Sequence, residues 1–283
     1  MISSKLLGIT TLLYLLCMIA HFCYLFFRTK LFKRIAFGLV TFAWCFHTAG
    51  LGFRWYESYQ LGYGHIPVSN FYEALISLSW TTVVIYASIA LRYRTHALGA
   101  CVFPIVSVAM AYASLSPNVQ DEITPLIPAL QSNWLTYHVL TCFFGYSAFA
   151  TSCVVSIIYL IKTRKTTDTV PGHAPAEPLL PSLAHMDEIM YKTIAIGFLL
   201  LTVGIITGSV WANYAWGSYW SWDPKETWSL ITWFIYAAFL HARLTRGWHG
   251  RRLALISIIG FCCVLFTFLG VNYLLSGLHS YAR

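Results

Sequence analysis

The densest concentration of side chains able to hold a ligand lies between Trp211 and Trp228. Five of the eleven tryptophans fall there, Trp211, Trp216, Trp220, Trp222 and Trp228. Tyr214 and Tyr219 interleave them, and Gly217, Asp223, Pro224, Lys225 and Glu226 punctuate the run. Flat, polarisable faces beside a polar rim suit a planar ligand with charged groups at its edge. Haem with its two propionates answers that description, and so would a quinone or a sterol. The competing account is an interfacial aromatic belt, in which Trp and Tyr sit at headgroup depth. A belt asks for one or two aromatics per helix end and leaves the density of this segment unexplained. Both accounts stay open on these residues alone.

The histidines bear on the choice. His138 lies about 6 Å inside one end of an apolar stretch, by helix rise, and His279 lies just beyond the same end of the last stretch. Paired imidazoles can take both axial positions of haem iron; the alternative is two unrelated interfacial histidines. His241 follows Glu226 by a helical run of roughly 22 Å. An ionisable group within a span is a functional candidate, although His241 also fits a helix-end residue. His47 and His21 are weaker candidates, and His65 suits a polar contact on a loop. His96, His173, His185 and His249 read as solvated loop residues.

Other chemistries lack their parts. The sequence holds no Walker loop, no G-x-G-x-x-G after a strand, no H-E-x-x-H and no G-x-S-x-G. The eight cysteines all fall in apolar stretches and form no C-x-x-C, which excludes a thioredoxin-like pair, a zinc knuckle and covalent haem on this chain. They read as small buried apolar residues.

The elements that must position these residues are membrane helices. Of 283 residues, 58% are hydrophobic and 10% charged, against about 25% charged in a soluble domain. The net charge of +8 is spread between apolar runs and makes no basic face, so no nucleic-acid partner is expected. Eight stretches approach the ~20 residues needed to cross a bilayer: 6–27, 35–53, 74–91, 97–120, 134–161, 193–215, 227–242 and 253–275. The seventh is short, and Pro104 should kink the fourth. Fourteen of eighteen cations fall on one set of connections; Lys5, Arg54, Lys225 and Arg283 fall on the other. The positive-inside rule makes the first set cytoplasmic or stromal.

The expectation is an all-α integral membrane protein with about eight transmembrane helices and both termini on the periplasmic or lumenal side. Residues 1–283 read as a single polytopic membrane domain in contact with lipid. Residues 162–192, with four prolines, read as a poorly ordered cytoplasmic linker. Residues 211–228 read as an external ligand-binding segment.

The run W-G-S-Y-W-S-W-D-P-K-E-T-W at 216–228 resembles the tryptophan-rich (WWD) haem-handling family, in the branch that supplies the membrane half of the System II cytochrome c synthase. G-H-I-P-V-S-N-F-Y-E at 64–73, P-A-L-Q-S-N-W-L at 128–135 and G-L-H-S-Y at 277–281 carry the same resemblance. It implies that His138 and His279 are axial ligands of an external haem b, held as cargo and substrate. It implies that Trp211, Trp216, Gly217, Tyr219, Trp220, Trp222, Asp223, Pro224 and Trp228 hold the macrocycle. It further implies that His241 belongs to a transmembrane haem site whose opposite ligand lies on a CcsB/ResB-like membrane partner; His47 would substitute only if packing brought it near.

The implied function is haem transport and presentation for thioether formation with the C-x-x-C-H thiols of apocytochrome c. The membrane would be the bacterial inner membrane, or the thylakoid if the chain is plastid-derived. This chain supplies no covalent nucleophile, so its part would be orientation of the reactants and control of the iron's oxidation state. A transmembrane di-haem electron carrier to quinone, or a haem exporter or scaffold without attachment activity, are the alternatives.

Overall fold

The computed structural model describes residues 1–166, 179–275 and 277–278. Among these the chain forms eight long helices and no strand: α1 Ile2–Phe27, α2 Lys30–Gln60, α3 Phe71–Tyr93, α4 Gly99–Leu115, α5 Asn133–Thr166, α6 Leu183–Trp216, α7 Pro224–Arg246 and α8 Arg251–Leu274. All but α7 are long and apolar enough to cross a membrane. The exception follows from α7's short uncharged run, flanked by Glu226 and Arg243. It packs between α6 and α8 as part of the bundle. The protein is an all-helical, multi-pass membrane protein.

Successive helices alternate in direction, so the bundle has two chemically different ends. At one end, Asp187 of α6 pairs with Arg243 of α7 at 2.5 Å and accepts the Gly250 N–H at the start of α8. Most of the cations gather here. The opposite end carries the tryptophan-rich connection. There Gly217 closes α6 in the left-handed region at φ 76°, a conformation that costs glycine little. Pro224 opens α7 and a capping box joins Asp223 to Glu226.

The site depends most on how α5 meets α6. Gly145, Gly197, Gly204 and Gly208 face across this contact. A Cβ on Gly204 would come within 2.6 Å of Cys142 Sγ, and one on Gly145 within 3.2 Å of the Gly197 carbonyl. Small residues allow this approach, as is usual where membrane helices pack without a hydrophobic driving force. In α8 the helix widens into a π turn at Phe266–Gly270, a form that recurs at functional sites.

Two sequence expectations change, for the linker and for the cysteines. Helix α5 reaches Thr166 and α6 begins at Leu183, so helix occupies both ends of the expected 162–192 linker. A charge-free stretch measures apolar thickness, whereas a helix continues into the headgroup zone on charged turns. The cysteines are not uniformly buried: Cys17, Cys142 and Cys153 are, while Cys45, Cys101 and Cys262 are exposed on outward helix faces, and all eight are free.

Candidate functional site

A cavity open on one side lies at the tryptophan-rich end. Its wall joins Val68–Phe71 and Ala74, Leu130 and Leu135, and residues of α5 from His138 to Tyr146. It continues through Leu201, Ile205, Gly208, Ser209 and Trp211 of α6, Tyr219 and Trp220, Lys225, Glu226 and Ser229 of α7, and Thr267, Phe268 and Asn272 of α8.

His138 is set into this wall by backbone chemistry. Its Nδ1 lies 2.7 Å from the Gly204 carbonyl oxygen, to which an Nδ1–H can donate. That bond fixes the tautomer and ring orientation, so a metal ligated by this imidazole would be met by Nε2. Metal-ligating histidines commonly hold a backbone carbonyl in this way. Gly208 makes the space: a Cβ there would stand 2.5 Å from Nδ1 and 2.6 Å from Cε1. Trp211 covers the imidazole at 6.0 Å between centroids and 16° between planes. Trp211 is itself 1% exposed and donates its indole N–H to the Ala129 carbonyl at 2.8 Å.

The tryptophan-rich segment separates into layers. Trp211, Tyr219 and Trp220 line the cavity. Trp216 stands behind them, edge-on to Trp211 at 4.8 Å. Trp228 packs on Phe266 at the start of the π turn, 4.2 Å between centroids. Trp222 is 68% exposed with φ 59°, an uncommon backbone conformation for a bulky residue. Gly217, Asp223 and Pro224 shape the helix ends. Gly277, just after α8, would place a Cβ 2.6 Å from both Asp223 carboxylate oxygens, so the tail returns to this segment.

The opposite wall rests on a buried ion pair. Arg54 Nε meets Glu73 Oε1 at 2.7 Å, both side chains 1% exposed. Arg54 also donates to the Asp121 carbonyl at 2.8 Å. The other Glu73 oxygen accepts from the Ser69 N–H and hydroxyl at 2.8 and 2.7 Å. His65 adds a bridge, its Nε2 lying 3.1 Å from the Thr124 carbonyl. The 61–70 and 116–132 connections are thereby tied together, which holds Val68, Ser69 and Asn70 against the cavity. A single sequence offers no signal for this pairing.

Lys225 reaches the cavity from the first turn of α7, outside the uncharged stretch 227–242, and donates to Asn272 Oδ1 at 2.7 Å. Burial pushes its ammonium down to about 8, although the Asp223 carboxylate nearby acts the other way; a free lysine titrates near ~10.4. Asn272 sits one turn past the π turn and gives its Nδ2–H to the Phe268 carbonyl at 2.8 Å, which leaves Oδ1 for the lysine.

The other described histidines stand away from the cavity wall. His279 lies outside the described residues, as does His173. His241 is exposed on α7 and lines no part of the cavity. His47 is fully buried against the Tyr14 hydroxyl at 2.9 Å. Its helix packs on α1 and α3, whereas α7 packs on α6 and α8, so packing does not bring His47 to His241. Among the described residues no three His, Cys, Asp or Glu side chains converge as a metal site.

Fold and cavity together define a multi-pass membrane protein with an aromatic, histidine-bearing cavity at one end of its bundle. The chain belongs to the cytochrome c assembly protein family, whose model matches residues 68–279. A cytochrome c biogenesis protein CcsA from Guillardia theta is 41% identical over 97% of this chain and 94% of its own length. One from Gloeobacter violaceus is 39% identical over 90% and 88%, and one from Porphyra purpurea 40% identical over 82% of each. The solved cytochrome c haem lyase CcmF shares the fold, with a TM-score of 0.68 at 17% identity. The match covers 94% of this chain and 46% of that one. The protein's role lies in cytochrome c maturation.

Proposed function

We propose that the chain receives haem b in the cavity at its tryptophan-rich end and presents it for covalent attachment to apocytochrome c. The observation that carries this reading is His138, oriented by the Gly204 carbonyl, covered by Trp211 and set in the wall of a largely apolar cavity. His279 is proposed as the second axial ligand. Haem is here the substrate, to whose vinyl groups the two C-x-x-C-H thiols add, forming thioethers. The chain's own residues orient the haem edge and exclude water. The exposed His241 suits a second haem site shared with a CcsB/ResB-like partner, because a ligand on the bundle surface needs a facing chain.

The cation distribution supports a periplasmic or lumenal position for the chamber and both termini, in a bacterial inner or thylakoid membrane. Thiol labelling of Ser221→Cys and His249→Cys in a cysteine-free background should report opposite sides. Labelling of Ser221→Cys from the cytoplasmic side would reject the orientation.

The direct test is His138→Ala beside a C-x-x-C-H cytochrome reporter. Covalent haem on the reporter should be lost, and added imidazole should restore part of it by filling the vacated iron position. Full maturation in the variant would remove His138 as a ligand.

A further inference from the structure

Lys225 is in an unfavourable position for a cation. It occupies the first turn of α7, where the helix dipole favours negative charge. The cavity wall of which it is part is largely apolar, with Leu135, Val139, Phe143, Ile205 and Phe268 among its lining residues. Buried charges are normally paired, yet among the described residues no carboxylate oxygen lies within 4.0 Å of Lys225 Nζ. The neighbouring Glu226 does not serve, because its carboxylate accepts the Ser221 and Asp223 N–H groups at 2.8 and 3.2 Å.

What holds the ammonium is a neutral group. Asn272 Oδ1 accepts one of its hydrogens, and the bond from Asn272 to the Phe268 carbonyl keeps that oxygen facing the lysine. An ammonium has three donors and no acceptor, so two remain for a ligand. An apolar wall strengthens any ion pair formed against it. The Asp223 carboxylate nearby lies beyond ion-pair distance, so the ammonium keeps donors for an anion supplied by whatever fills the cavity.

We propose that Lys225, positioned by Asn272, is the carboxylate-recognising group of the chamber and pairs with a propionate of the bound porphyrin. This rests on the haem reading above and adds to it the chemical class of the anion and the side chain that reads it. It also sets the porphyrin's orientation, with a propionate edge toward the junction of α7 and α8 and the vinyl edge directed away.

The test uses the purified full chain in nanodiscs with two probes, iron protoporphyrin IX and its dimethyl ester, which keeps the iron and removes the carboxylate charge. A charge-assisted hydrogen bond in such a site corresponds to roughly tenfold to a hundredfold in affinity. The wild-type chain should prefer the free acid by that factor. Lys225→Met should bind both probes at the weaker level with an unchanged haem absorption spectrum, and Lys225→Arg should keep part of the preference. Equal affinity of the wild-type chain for acid and ester, or an undiminished preference in Lys225→Met, would overturn the assignment while leaving the haem reading intact. Failure of the wild-type chain to bind either probe would overturn both.

Discussion

His138 and His47 show how one residue type is put to two uses in one bundle. His47 lies in the α1–α4 half, wholly enclosed, its Nδ1 2.9 Å from the Tyr14 hydroxyl. His21 repeats the pattern there, between the Cys17 carbonyl at 2.7 Å and the Tyr86 hydroxyl at 2.9 Å. Phe103 stacks between these pairs, 6.0 Å from Tyr14 and 4.9 Å from His21. These imidazoles glue helices together. In the α5–α8 half the glue is steric: glycines bring α5 and α6 together, and His138 leans on a backbone carbonyl beside an open chamber. A histidine that ties two helices side chain to side chain is a packing element. One oriented by main chain against a cavity is poised for a ligand.

Exchanging single atoms at the two sites is the sharpest test of that contrast. Gly208→Ala places a methyl where the His138 imidazole stands, so the ring must leave the Gly204 carbonyl. Displacing a reacting group by about 1 Å can cost on the order of 10²-fold in rate, and maturation should fall by that order with a shifted haem spectrum. Gly38→Ala meets nothing within 4 Å and should leave both unchanged. His47→Ala should act the other way. It strands the Tyr14 hydroxyl in the core, at a cost of about 1–3 kcal/mol, read as earlier thermal unfolding in detergent, while the spectrum of bound haem stays that of wild type. A shifted spectrum in His47→Ala, or none in Gly208→Ala, would dissolve the distinction.

The distinction was only half legible in the sequence. Eight charge-free stretches marked the helices, because crossing a bilayer imposes a length and a composition that no packing detail overrides. The tryptophan-rich segment and His138 stood out by type. Their layering did not, since whether a tryptophan lines the cavity, backs it like Trp216 or points outward like Trp222 depends on the turn between α6 and α7. Arg54 read as one of the few cations at the sparse end, a topogenic charge. It is buried against Glu73, nineteen residues on, and that pairing exists only once α2 and α3 fold together. The α6 glycines and the π turn that brings Thr267, Phe268 and Asn272 to the cavity were silent for the same reason: their meaning lies on the facing helix.

The smallest effect expected separates scaffold from chamber at the cation-rich end. Asp187 and Glu188 are neighbours on α6, and each holds a cation at 2.5 Å. Asp187 is buried, and it joins three helix ends through Arg243 and the Gly250 N–H. Breaking a buried pair on one side leaves the other charge uncompensated, typically by about 3 kcal/mol or more; partial exposure of Arg243 places Asp187→Asn at the low end. Glu188 pairs with Lys192 one turn along the same helix, in the open, where such pairs contribute little. Asp187→Asn should therefore lower the unfolding temperature of the full chain, and Glu188→Gln should leave it unmoved. Both variants should keep the wild-type haem spectrum, because neither residue reaches the chamber. A spectral change in Asp187→Asn would mean that the two ends of the bundle are mechanically coupled through α6, and that the chamber's geometry is set in part from the far side of the membrane.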